Sequence, residues 1–172
     1  MLTMHLSMVR AKSTNRDGCD SRNGHQLTHT HPETGKATMV DVSDKIRDKG
    51  HTLRSATARG TVWLNSDAAY RLVKDNENKK GDVLSVSQLA GIMGAKQTSN
   101  LIPLCHPLLL SHVETQLTLN DADAAVEIEA TVKTVGPTGV EMEALTAVSV
   151  AALTVYDMCK AASKRIRIGG AY

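Results

Sequence analysis

The chain contains no phenylalanine, one tryptophan and three tyrosines among its 172 residues. This argues strongly against a sheet that binds RNA by stacking bases on aromatic rings, and any core has to be built from Leu, Val, Ile, Ala and Met. Cysteine is scarce as well: Cys19, Cys105 and Cys159 are odd in number, and none stands in a Cys-x-x-Cys pair. That pattern excludes a disulfide framework and a thiolate metal knuckle and points to a reducing compartment. No charge of one sign is in excess, with 20 Lys and Arg against 18 Asp and Glu. The balance argues against a dedicated nucleic-acid or membrane-surface binder. The most apolar stretch, residues 144–156, is 13 residues long, too short to cross a bilayer and suited to a buried core helix. Residues 1–10 lack the continuous apolar segment of a secretory signal. A soluble, intracellular protein is expected.

Residues 1–38 read as a disordered tail, rich in Ser, Thr, Asn, Asp, Gly and His and without sustained periodicity. Arg10, Lys12, Ser13, Thr14 and Arg16 faintly resemble an organelle transit peptide, while Asp17 and Asp20 speak against one. His29 and His31 read as solvated side chains, so no metal site is expected. Residues 39–172 read as one domain. Residues 53–64 predict a strand. Ser66 and its neighbours then supply an N-cap to a helix carrying Ala68, Ala69, Leu72 and Val73 at helical spacing. That helix ends in the polar run 76–81. Asp82 caps a second helix, expected to bury Val83, Val86, Leu89, Ala90 and Met93 on one face. A connection punctuated by Pro103 and Pro107 follows. Alternation over 113–119 and 126–132, around a turn at 120–123, predicts a hairpin. Gly136 and Gly139 bracket the start of a long helix reaching about residue 162, and 165–168 predicts a last strand. This order is that of an α+β, ferredoxin-like sandwich: an antiparallel sheet with helices packed on one face.

The long helix is apolar almost all round, yet bears Glu141, Glu143, Asp157 and Lys160. Asp157 and Lys160, three apart, can form an ion pair. One reading is a solvated stripe with a helical salt bridge. The other is a set of desolvated charges with shifted pKa values, in which a partly dry lysine beside a carboxylate trades protons near neutral pH. Glu143 and Asp157 stand about 21 Å apart along a helix, at 1.5 Å per residue. One small substrate cannot easily touch both, so a site using both ends would combine neighbouring subunits, and an all-round apolar helix also favours oligomerisation. His106, between Pro103 and Pro107, is either a hydrogen-bonded structural residue or a ligand on a stiffened loop. Lys80, followed by Gly81 and Asp82, is either a plain turn or a place where a phosphate meets a helix N-terminus. No nucleotide-binding, nucleophile-elbow or zinc-protease motif is present.

Taken together, five segments go further. They are Met39-Val40-Asp41-Val42-Ser43; Lys80-Gly81-Asp82-Val83; Leu101-Ile102-Pro103-Leu104-Cys105-His106-Pro107-Leu108; Thr138-Gly139-Val140-Glu141-Met142-Glu143-Ala144-Leu145-Thr146; and the block from Ala151 to Ala161 containing Tyr156-Asp157-Met158-Cys159-Lys160. In this order they resemble the cyclic pyranopterin monophosphate synthase family, the molybdenum cofactor biosynthesis protein C family, over roughly residues 27–168. The resemblance implies a ferredoxin-like subunit assembled as a hexamer, a trimer of dimers, with sites at subunit interfaces. It implies a lyase that converts 3′,8-cyclo-7,8-dihydro-GTP into cyclic pyranopterin monophosphate and releases pyrophosphate, with no cofactor and no metal. Matching positions suggest Asp157, Lys160 and Lys80 as catalytic residues. Leu104, Cys105, His106, Glu141, Met142 and Glu143 would line the substrate site. The partners implied are a small molecule and other copies of the chain, with no nucleic acid and no membrane. The compartment is the cytoplasm of a bacterium or the mitochondrial matrix of a eukaryote.

The chain departs from the family at its end. There the last strand continues into a Lys- and Gly-rich segment that supplies a further active-site lysine, whereas this sequence reaches Gly169-Gly170-Ala171-Tyr172. Loss of one phosphate-facing lysine would weaken charge-assisted contacts by about 1.5–3 kcal/mol. This motivates an alternative: a non-catalytic, assembly-competent truncated variant that binds substrate or co-assembles with full-length subunits.

Overall fold

A computed structural model of the protein describes residues 5–6 and 52–171. The motif at 39–43, Cys19, the two tail histidines and all of the expected tail except His5 and Leu6 lie outside these residues. The elements run β1 (His5–Leu6), β2 (Thr52–Trp63), α1 (Asp67–Lys74), α2 (Val83–Lys96), α3 (Thr98–Leu101), β3 (Leu110–Asn120), β4 (Ala125–Gly136), α4 (Glu141–Cys159) and β5 (Arg167–Ala171). The strand order across the sheet is β1-β5-β2-β4-β3. Strands β5, β2, β4 and β3 are antiparallel neighbours, and β1 adds a short parallel pairing at the edge beside β5. The helices pack on one face. The architecture is the expected α+β sandwich.

The period-two pattern of the sequence explains the sheet. In β2, Ala56, Ala58, Gly60 and Val62 point inward, opposite Val132, Ala130, Ile128 and Val126 of β4. The outward positions carry Thr57, Arg59, Thr131 and Glu129, with the Arg59–Glu129 pair at 2.5 Å and the two threonine hydroxyls at 2.8 Å. Against the inner face lies α4, burying Ala144, Ala147, Val148, Ala151, Ala152, Val155 and Met158. By length and composition α4 could cross a membrane, but its apolar side chains are spent on β2, β4 and α2, and it is the core helix of the fold.

Both expected caps are present. Ser66 Oγ accepts from the Ala69 N–H at 3.4 Å, and Asp82 Oδ1 accepts from the Ser85 N–H at 3.0 Å. The buried face of α2, however, is not the one its hydrophobic spacing suggests. Apart from Val83, the helix buries Ser87, Gly91, Gly94 and Ala95, while Val86, Leu89 and Met93 stay 41%, 61% and 48% exposed. Close approach decides the choice. A Cβ on residue 94 would stand 2.9 Å from Val150 Cβ, and one on residue 91 would stand 3.1 Å from the Ala147 carbonyl oxygen. The small-residue face lets α2 lie backbone-to-backbone on α4, and the larger apolar side chains are turned out.

Candidate functional site

The loop between α1 and α2 brings Lys80 to the last turn of α4. Asn76 at φ +54° and Gly81 at φ +100° bend the chain there. Lys80 Nζ donates to Asp157 Oδ2 at 2.7 Å and to the Asp157 main-chain carbonyl at 3.1 Å. Lys160 Nζ donates to the other carboxylate oxygen, Oδ1, at 2.5 Å. One carboxylate thus holds two ammonium groups. The C-terminus of a helix presents carbonyls without intrahelical partners and the negative end of the macrodipole, so two lysines are electrostatically welcome there.

All three side chains are about half exposed, at 52–53%, so at this end of the helix the solvated salt bridge is the reading that fits, not the set of desolvated charges. The Asp157 carboxyl is held down at about 2, first by the hydrogen bond from Lys160 and then by that from Lys80. The same carboxylate pushes the Lys160 ammonium up. Lys160 therefore remains a firm cation rather than a dry amine poised near neutrality. Two carboxylate-organised ammonium groups facing water suit a phosphate-bearing ligand, for which charge-assisted hydrogen bonds are the strong ones.

The other end of α4 is chemically opposite. Glu143 lies in the first turn and is only 4% exposed. Burial pushes its carboxyl up, with the charge of Glu141 adding to the effect and its own backbone N–H opposing it. The expectation of a desolvated charge holds here. Val140 offers no side-chain cap, and acidic residues in the first turn complement the unpaired N–H groups and the positive end of the dipole. The Glu141 side chain is exposed, and its carboxylate folds over Gly139 into the space a Cβ would fill. Met142 is 38% exposed. The Cys105 thiol is pushed up by burial and then by the negative charge of Glu143, so the connection carrying it lies within the field of this acid. Leu104, Cys105 and His106 are each half-buried, and the Cys105 N–H closes a turn onto the Ile102 carbonyl at 3.1 Å.

The structure therefore divides the nine expected site residues into two groups. Lys80, Asp157 and Lys160 meet at the C-terminal end of α4. Glu141, Met142 and Glu143 sit at its N-terminal end, with Cys105 in the field of Glu143 and Leu104 and His106 flanking Cys105. Among the described residues, no group of three His, Cys, Asp or Glu side chains is placed to hold a metal ion. Sequence reasoning passed over Asn78, which ties the Lys80 loop to α4. Its Nδ2 donates to the Met158 carbonyl at 2.8 Å, and its Oδ1 accepts from the Lys80 N–H at 2.9 Å. The available signal was an asparagine two residues ahead of a lysine in a polar turn, the spacing of an Asx-turn.

The sequence profile of the MoaC family matches residues 39–172. The chain belongs to the MoaC family. It is 59% identical over 140 residues to the cyclic pyranopterin monophosphate synthase of Heliobacterium modesticaldum, covering 81% of this chain and 84% of that protein. It is 57% identical over 143 residues to the cyclic pyranopterin monophosphate synthase of Roseiflexus castenholzii, covering 83% and 87%. Molybdenum cofactor biosynthesis protein 1 of Drosophila melanogaster is 54% identical over 162 residues, which make up 94% of this chain and 28% of that longer protein. The five segments that carry the resemblance fall within the matched family.

Proposed function

We propose that this chain is a lyase of molybdenum cofactor biosynthesis that converts 3′,8-cyclo-7,8-dihydro-GTP into cyclic pyranopterin monophosphate and releases pyrophosphate. The observation that carries the reading is the Lys80–Asp157–Lys160 cluster, in a chain more than half identical to synthases of that name. The reaction opens a ring, closes a pterin and cyclises a phosphate. It needs proton transfers and phosphate electrostatics, both of which lysines supply. Asp157 is ionised throughout the neutral range, so its part is to hold and aim the two ammonium groups. Lys160, kept protonated by that carboxylate, is placed as a proton donor and phosphate ligand, with Lys80 beside it.

The residues at the far end of α4 complete the site in this reading. Glu143 and Cys105 are both biased toward their neutral forms by burial, which suits them to face the uncharged pterin system, with Leu104, His106, Glu141 and Met142 around it. Because about 21 Å of helix separates the two groups, we assign each complete site to two subunits, within a homo-oligomer taken to be a hexamer of three dimers. The apolar side chains left outside support assembly: Leu89 is 61% exposed, Leu101 56% and Leu109 91%. The substrate is a small molecule, and the expected setting is bacterial cytoplasm or mitochondrial matrix.

The test is pyrophosphate release by the purified protein supplied with freshly made cyclised GTP substrate. Release that disappears in Lys160→Ala supports the assignment. A well-folded oligomer that releases none contradicts it.

A further inference from the structure

Asn78 is half-buried in a run where Asp75, Asn76, Glu77, Lys79 and Lys80 are all exposed. Its side-chain amide is used in both directions. The bond from Nδ2 to the Met158 carbonyl joins residues 80 apart in sequence and lands on one of the carbonyls that the end of α4 leaves without an intrahelical partner. The bond from the Lys80 N–H to Oδ1 closes an Asx-turn and fixes the direction in which residue 80 leaves the loop. The Gly81 N–H donates to the Asn78 carbonyl at 2.9 Å, and the positive φ of Gly81 completes the bend. A lysine on a flexible four-carbon stem loses rotamer freedom when its ammonium is held in one place. Anchoring its backbone beforehand reduces the number of conformations it has to give up.

We infer that Asn78 is a positioning residue: it clamps the α1–α2 loop onto the end of α4 and so sets the Lys80 ammonium on Asp157. The inference rests on the reading of Lys80 as part of the active site. Asn78 touches main-chain atoms on either side of the cluster and acts on the reaction only through the lysine.

Asn78→Ala removes both ties. In this variant kcat/KM for pyrophosphate release falls about tenfold, a modest share of what misplacing a reacting group can cost. The same change made in Lys80→Ala costs nothing further, because the two residues act as one unit. A second measurement does not depend on turnover. The Asp157 carboxyl, followed by carbon-13 NMR, titrates at higher pH in Asn78→Ala than in the wild type, since it keeps Lys160 but loses Lys80. A fully additive loss in the double variant, or an unchanged Asp157 titration in Asn78→Ala, overturns the inference. If Lys80→Ala turns over like the wild type, the active-site reading of Lys80 fails, and the Asp157 titration still decides whether Asn78 holds the lysine. Should Asn78→Ala fold poorly, Asn78→Asp keeps an acceptor for the Lys80 N–H and loses the donor to Met158, and the same titration applies to it.

Discussion

The two ends of α4 carry acids in opposite circumstances. Asp157, at the C-terminal end, is exposed, bonded to two ammonium groups and held at about 2. Glu143, in the first turn, is buried, has no lysine or arginine paired with it among the described residues, and is pushed the other way. One helix thus presents an ionised end that holds two ammonium groups and an end biased toward neutrality. The difference teaches that sequence spacing along a helix says which charges are neighbours, but solvent exposure decides what those charges can do.

The largest effect expected is on the charged end. Lys160→Ala should lower pyrophosphate release by about 10²- to 10⁴-fold, the range of a lost proton donor, while size-exclusion chromatography shows an unchanged assembly. A variant with undiminished release would remove the lysine from the reaction. Next comes the body of the helix that joins the two ends. A Cβ at residue 94 would meet Val150 at 2.9 Å, so Gly94→Ala should destabilise the subunit by about 1–3 kcal/mol in denaturant unfolding. A neutral outcome would mean that α2 does not sit as closely on α4 as the structure has it.

The same acid-to-amide change at both ends should act in opposite directions. Glu143 has a folded pKa above its unfolded one, so ionising it near neutral pH works against the fold, and stability falls as pH rises through the folded value. Glu143→Gln should therefore raise the thermal midpoint at pH 7. A lowered midpoint would indicate that Glu143 has a buried ionic partner. Asp157 has a folded pKa below its unfolded one, so its contribution is present above the unfolded value of 3.8 and lost as pH falls toward about 2. Wild type should lose a small increment of stability across that window that Asp157→Asn never has. Thermal scans from pH 5 to pH 2 would show the two curves converging at the acid end, and parallel curves would refute the assignment.

Much of the fold was legible because it rests on local patterns. Alternation in β3 and β4, the caps at Ser66 and Asp82, and the turn at Gly81 are all written within a few residues. The burial of α2 was not, because Gly91 and Gly94 have no hydrophobic signal, and their value appears only once α4 lies against them. The site was legible to a similar depth. Asp157 and Lys160 stand three apart, and their ion pair follows from helical geometry. Lys80 arrives from 77 residues away, a contact that spacing cannot reveal and that only the family resemblance suggested. The state of each acid was hidden too: Glu143 and Asp157 lie on one helix in comparable sequence surroundings, and tertiary packing separates them.

The central claim is that the two ends of α4 work together across subunits. Lys160→Ala and Glu143→Ala, each impaired alone, can be unfolded together, refolded as a mixture and assayed for pyrophosphate release. If each site takes one end from each member of a dimer, random pairing leaves about a quarter of the sites with both ends intact, and activity recovers to about that fraction of wild type. Recovery no greater than the sum of the separate variants, in a mixture shown to contain mixed oligomers, would contradict a shared site.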